Sequence, residues 1–227
     1  LEAVRAAADA WRSKTVLDET LTVFGCRQTP DGRSAVRCVP EAETAVAGDE
    51  LLLPCFLSDS DVELWRRHVE EAASRGIKRF RLTSLFQLDF SYPADAVLTV
   101  SYPLPAVNAF AARFFIEHGC NRIQIWPELN DDEAVAAAAS FGCACERRVS
   151  GDFPVLATRA AVCESAVFSA DGEPVSFSWR IRSDRQTGLN FLYPDRSIAA
   201  APISGCGEFF TTVENPSAAP LSFPGLR

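Results

Sequence analysis

Two carboxylates and a guanidinium stand where they could act together: Glu128, Glu146 and Arg159. Each follows or begins a strand-like apolar run, so their ends are expected to converge. In that arrangement Glu128 and Glu146 could form an acid/base pair or hold a cation. Arg159 could grip a phosphate or carboxylate through its fork of donors. Plainer roles suit the same residues: Glu128 as an acceptor for neighbouring backbone or for Arg159, Glu146 as a solvated strand residue, Arg159 as an ion-pair partner of either. Ser101, Tyr102 and Thr158 fall just after strand-like runs and are candidates for touching a substrate. His68 lies on a charge-rich helix face and His118 at a helix end, where an imidazolium suits the dipole. Neither has a Cys or Ser partner placed for a nucleophilic triad. The chain carries no His-Glu-x-x-His, glycine-rich phosphate loop or Cys-x-x-Cys.

The elements that must position these residues are read from residues 94–159, where apolar strand-like runs alternate with helical ones. That pattern predicts an α/β fold with a parallel sheet, whose carboxyl edge is the usual ligand-binding edge. Upstream, residues 1–13 place Leu1, Val4, Ala8 and Trp11 at helical spacing. Residues 21–24 and 35–38 read as a hairpin around Pro30-Asp31-Gly32, residues 41–48 as a short helix, and residues 50–57 as a buried strand. Ser60 with Glu63 predicts a capping box ahead of Val62, Trp65, Val69 and Ala72, and Gly76 a left-handed stop. The unit Gly76-x-x-Arg79-Phe-x-Leu returns as Gly119-x-x-Arg122-Ile-x-Ile. Between them a helix over 107–118 is expected to carry Val107, Phe110, Ala111 and Phe114 on one face. Asn130 with Glu133 caps the next helix, closed by Gly142. From Cys163 the alternation gives way to antiparallel strands over 168–179, turning at Asp171-Gly172, and over 188–203.

The expected layout is an N-terminal helix and hairpin (1–34), a partial or complete TIM-barrel-like (β/α) domain (35–162), a small β extension (163–211) and an extended tail (212–227). Trp65, Trp126 and Trp179 are expected in the core rather than on a base-stacking platform.

Composition narrows the functional classes. Of 227 residues, 48% are hydrophobic, enough for one substantial core. A net charge of -8 argues against a nonspecific grip on nucleic-acid backbones. No apolar run approaches the ~20 residues needed to cross a bilayer, so no membrane partner and a cytoplasmic location are expected. Eight cysteines scattered through a large apolar chain do not make a secreted disulfide framework. The absence of Met, with a start inside a helical pattern, is expected of part of a longer protein.

Several segments, in order, resemble the collagenase-like peptidase family U-32, in particular the C-terminal part of its longer members. They are LEAVRAAADA, ELLLP, IKRFRLTSLFQLD, the stretch from Tyr102 to Asn108, WPELN, Glu146 followed by Gly151, and FPVLATR. The resemblance implies a (β/α) barrel. It also implies one of two activities: proteolysis of collagen-like substrates, or hydroxylation of RNA bases or a quinone precursor linked to a [4Fe-4S] cluster. It brings Asn108 into the substrate-binding set, as the remaining Asn of a paired-Asn segment whose first member is replaced by Pro105. The family's first cluster cysteine would fall at Ala161, with Cys163 two residues later, and the spaced pair expected next is absent. Cys143, Cys145, Cys163 and Cys206 are the group close enough to propose as cluster ligands, though the thiols of Cys143 and Cys145 are expected on opposite strand faces. The favoured expectation is an accessory or substrate-binding barrel module with eroded catalytic residues, partnered by the N-terminal part of the same protein. The alternative is an active peptidase or hydroxylase using Glu128, Glu146 and Arg159 on a peptide or RNA.

Overall fold

The computed structural model describes residues 23–28, 35–39, 43, 45–151, 154–162, 165–170, 173–184, 189–194 and 198–213. The helix expected over 1–13, the Pro30-Asp31-Gly32 and Asp171-Gly172 turns, Cys163 and the tail beyond Val213 lie outside the described residues.

Strands form where the sequence alternates. β1 (Val23–Gln28) and β2 (Ala35–Val39) make the expected antiparallel hairpin. β3 (Glu50–Leu52), β4 (Arg79–Leu82), β5 (Val97–Val100), β6 (Arg122–Gln124) and β7 (Ala144–Gly151) then follow, each parallel to the strand before it. Crossovers between parallel strands need room, and helices supply it. α1 (Asp59–Ser74) joins β3 to β4, α2 (Ala109–Glu117) joins β5 to β6, and α3 (Asp131–Ser140) joins β6 to β7. Between β4 and β5 a single 3-10 turn, Leu85–Asp89, takes that place.

The chain next forms β8 (Leu156–Thr158), β9 (Ser165–Ala170), β10 (Glu173–Asp184) and β11 (Leu189–Pro194), a separate antiparallel sheet in the order β8-β11-β10-β9. It then returns through β12 (Ile198–Ala199), paired to the end of β7, and β13 (Gly207–Val213). β13 lies parallel to β7 and antiparallel to β1. Because β1 also pairs with β2, eight of the nine strands in this sheet close a ring, with β1 the single antiparallel member. This is the TIM-barrel-like α/β fold the alternation predicts.

Contacts divide the chain into a barrel unit, Thr22–Gly151 with Ile198–Glu214, and a second unit containing Asp152–Ser197. The boundary expected at 162/163 therefore falls after Gly151. The last barrel strand, Gly207–Val213, straddles the stretches assigned to the β extension and the tail, and Leu156–Thr158 of the FPVLATR segment pairs in the antiparallel sheet.

Alternation separates two environments in the barrel. Leu51, Phe80, Leu82, Leu98, Val100, Ile123, Ile125 and Cys145 are buried and join Trp65, Val69 and Ala72 of α1, Ala112 and Phe115 of α2, and Ala134 and Ala137 of α3 in one apolar core. The other phase of the same strands carries Glu50, Arg81, Thr99, Gln124 and Glu146, all buried.

Local signals are met in part. Asn130 and Glu133 form the expected capping box at 3.0 Å each way, and Gly76 and Gly142 adopt the left-handed backbone that ends a helix without a Cβ clash. Ser58 rather than Ser60 holds the N-cap position of α1, without a side-chain hydrogen bond to the backbone; its hydroxyl donates instead to the Asp61 carboxylate at 2.5 Å. In place of a helix before β3, residues 45–49 make a turn in which the Asp49 carboxylate accepts from Val46 N at 2.9 Å. The apolar face read from the sequence of α2 is the wet one: Phe110 is 87% exposed while Phe115 is 3% exposed.

Candidate functional site

The barrel lumen is built around Arg81. Its Nε and Nη2 donate to Glu50 Oε2 at 3.0 and 2.8 Å. Its Nη1 donates to Ser101 Oγ at 3.2 Å and to Glu146 Oε1. β4 and β7 are not neighbours in the sheet, so the Arg81–Glu146 contact crosses the lumen. Thr99 donates to Glu50 Oε1 at 2.7 Å, Gln124 Nε2 to Glu146 Oε1 at 3.4 Å, and Ser101 to Gln124 Oε1 at 3.0 Å. Barrels of this size usually fill their interior with branched apolar side chains; here one layer is a charged network. Burial works against the Arg81 charge, but Glu146 and Glu50 outweigh it and hold the guanidinium above its ordinary value. Cys38 of β2 feels the same charges: burial and then Glu50 push its thiol up, with Arg81 opposing.

Arg148 lies two residues beyond Glu146 on β7 and therefore on the same strand face, one step closer to the carboxyl edge. Burial, and then repulsion from Arg81, bring its guanidinium down to about 10. It interacts with Tyr102, which follows β5 and meets the Trp126 ring at 5.0 Å between centroids. Burial pushes the Tyr102 phenol up, Glu128 adds to that, and Arg148 opposes it. The carboxyl mouth thus carries a tyrosine–tryptophan pair with a buried cation beneath and an exposed carboxylate beside it. Gln87 steadies the rim: its Oε1 accepts from Thr83 N at 2.7 Å and Ser84 N at 3.0 Å, and its Nε2 donates to Pro54 O at 2.6 Å, joining the ends of β3 and β4.

The residues singled out from sequence are distributed differently from the expectation. Glu146 is not a solvated or edge residue; it lies inside the barrel with no exposed surface, bound to Arg81. Glu128 is exposed at the mouth. Thr158 and Arg159 belong to the second unit, where Thr158 Oγ1 accepts from Ala160 N at 3.0 Å. Ser101 is a lumen residue, Tyr102 a mouth residue, and Asn108 is exposed and engaged as the cap of α2, accepting from Ala111 N at 3.0 Å. His118 sits at the C-terminal end of α2 as expected, its Nδ1 2.7 Å from Phe114 O, and His68 packs edge-on against Trp65. Trp65 is core, but Trp126 is half-buried at the mouth. Sequence reasoning missed Glu50, Arg81, Thr99, Gln124 and Arg148.

Searches of family models, curated proteins and solved structures return no match.

Among the described residues the cysteines do not converge as the cluster expected from the resemblance would need. Cys143, just before β7, and Cys145 are not on opposite sides: both pack against the apolar core, and the Cys145 thiol donates to Cys143 O at 3.4 Å. An iron-sulfur cluster needs thiolates converging on one centre. Among the described residues no three His, Cys, Asp or Glu side chains converge to hold a metal ion, and Cys163 lies outside those residues. No helix among the described residues is long and apolar enough to cross a membrane.

Proposed function

We propose that this chain is a substrate-binding, accessory barrel module of the collagenase-like kind suggested by its sequence motifs, and that its binding surface is the mouth around Tyr102 and Trp126. The observation that carries this reading is the position of Glu146. A catalytic carboxylate pair must reach the same reacting bond, whereas Glu146 is bound to Arg81 inside the lumen and Glu128 stands exposed at the mouth. What the mouth offers is recognition: two adjoining aromatic rings, a buried guanidinium and a carboxylate. Aromatic-lined surfaces dock extended, proline-rich peptides, whose polyproline conformation loses little entropy on binding. The net charge of -8 favours a peptide over RNA.

Titration of a collagen-like proline-rich peptide into the protein, followed by tryptophan fluorescence and calorimetry, tests the reading. Saturable binding is expected, weakened at least about tenfold in Tyr102→Ala and Trp126→Ala, since a buried aromatic contact contributes about 1.4 kcal/mol or more. An RNA oligonucleotide of equal length should not compete. Peptide cleavage that disappears in Glu128→Gln would instead make the chain a peptidase, and absence of peptide binding would remove the module reading.

A further inference from the structure

A different chemistry is set up where α3 turns into β7, at the amino-terminal edge of the barrel. Gly142, with φ +70°, reverses the chain so that Cys143 precedes β7 and Cys145 is its second residue. The Cys145 thiol donates to Cys143 O at 3.4 Å and lies 3.9 Å from Ala138 O of α3, and both cysteine side chains pack against the same apolar core. Cys145 is buried among apolar residues, whereas Cys143 is half-buried and reachable. Arg122 begins the neighbouring strand, paired opposite Ala144, and its charge is felt by both thiols. Its Nε has no hydrogen-bond partner. Two strand residues rise about 6.6 Å, inside the Cα separation a disulfide tolerates, and closure must turn the backbone at Ala144 to bring the two Cβ atoms to about 4 Å.

We propose that Cys143 and Cys145 form a thiol pair that closes to an intramolecular disulfide on oxidation by a hydroperoxide, with Cys143 attacking and Cys145 resolving. The Cys143 thiolate sulfur attacks the peroxide oxygen. The O–O bond breaks, the leaving oxygen takes a proton to become an alcohol or water, and Cys143 becomes a sulfenic acid. The Cys145 sulfur then attacks the Cys143 sulfur. The S–O bond breaks, the Cys145 proton leaves with the hydroxyl as water, and the disulfide forms; overall two thiols are oxidised by two electrons and one peroxide is reduced. The division of roles follows the environment. Cys143 is the thiol a peroxide can reach, whereas Cys145 is buried behind it; contact with Cys145, with burial opposing and Arg122 assisting, also holds the Cys143 thiol below its ordinary value, and thiolate character is what makes a cysteine nucleophilic. Cys120, on the adjacent crossover, is pushed up to about 12 by burial and then by Cys143, and is the poorer nucleophile.

Trypsin reports the outcome directly, because both cysteines lie in the one peptide running from residue 123 to residue 147, while Cys120 falls in the peptide before it. After treatment with one equivalent of hydrogen peroxide and alkylation, the 123–147 peptide should appear two hydrogens lighter and unalkylated, with the loss of two titratable thiols that dithiothreitol restores. In Cys145→Ser, Cys143 should remain a sulfenic acid trapped by dimedone; in Cys143→Ser, the peptide should stay reduced. A disulfide joining the 123–147 peptide to the Cys120 peptide, or full alkylation of both thiols after peroxide, would overturn the proposal on the unmodified chain alone.

Discussion

Arg81 is balanced between two carboxylates, and the whole lumen depends on its charge. Removing one partner of a buried ion network strands the others, whereas removing all of them can be neutral. Arg81→Met should therefore cost about 3–5 kcal/mol, read as a lower urea midpoint. The triple substitution Glu50→Leu, Arg81→Met, Glu146→Leu should recover most of that loss; a triple variant as weak as the single one would mean that shape rather than charge sets the cost. Tyr102 gives a pH prediction. Burial and then Glu128 raise its phenol above the ordinary value of about 10. The folded state thus keeps a proton that the unfolded state releases. The contribution is fully present below pH ~10 and is lost as pH rises toward the folded value. Ultraviolet titration of tyrosinate should show a high-pH component missing in Tyr102→Phe. Arg148 runs the other way: its folded value near 10 means that the cost of burying its charge is fully present at neutral pH and eases in alkali. Glu146 and Ser101 were singled out, but as residues of the carboxyl edge, and Glu50, Arg81, Thr99 and Gln124 could not be picked from the sequence by type alone, since Arg, Glu and Gln in the polar phase of a strand usually mean solvent. The missing clue was topological: in a parallel barrel both strand faces are covered, so a polar phase points into the lumen.

The elements themselves were largely legible, because capping residues, left-handed glycines and alternation are local signals. Asn130, Glu133, Gly76, Gly119 and Gly142 act where their chemistry predicts. Asn130→Ala should lower stability by about 1 kcal/mol, measured by thermal or urea unfolding. The orientation of α2 was not legible, since apolar residues cover most of its circumference. Its two charged residues held the answer: Arg113 and Glu117 ion-pair at 2.7 Å on the wet side, and Phe110 and Phe114 lie three residues from one or the other. Phe115→Ala should therefore cost about 3–5 kcal/mol and Phe110→Ser less than about 0.5; equal costs would refute this orientation. The short Leu85–Asp89 turn was also hidden, because its anchor is not periodic. Gln87 works by filling three backbone hydrogen bonds from two strand ends, and Gln87→Leu should cost about 2–3 kcal/mol by leaving those groups unpaired.

For the molecule as a whole, the alternating β/α pattern revealed the barrel class but not its closure. Nothing local in the sequence around Gly207–Val213 distinguishes a barrel strand from a strand of the neighbouring sheet; the difference is a pairing of Val23 with Val213 across nearly the whole chain. The same topology makes Asp152–Ser197 an insertion whose flanks, Gly151 and Ile198, are paired neighbours. Replacing that segment by a short Asn-Gly turn should leave the barrel folded with its cooperative unfolding intact, whereas deleting β13 should abolish it. Circular dichroism and urea unfolding of the two variants separate these outcomes. The seam between β1 and β13 also sets a schedule for biosynthesis. A ribosome must release Val213 before the ring can shut, so the nascent barrel waits with the rims of β1 and β7 unpaired, and those rims are where a chaperone would be needed most.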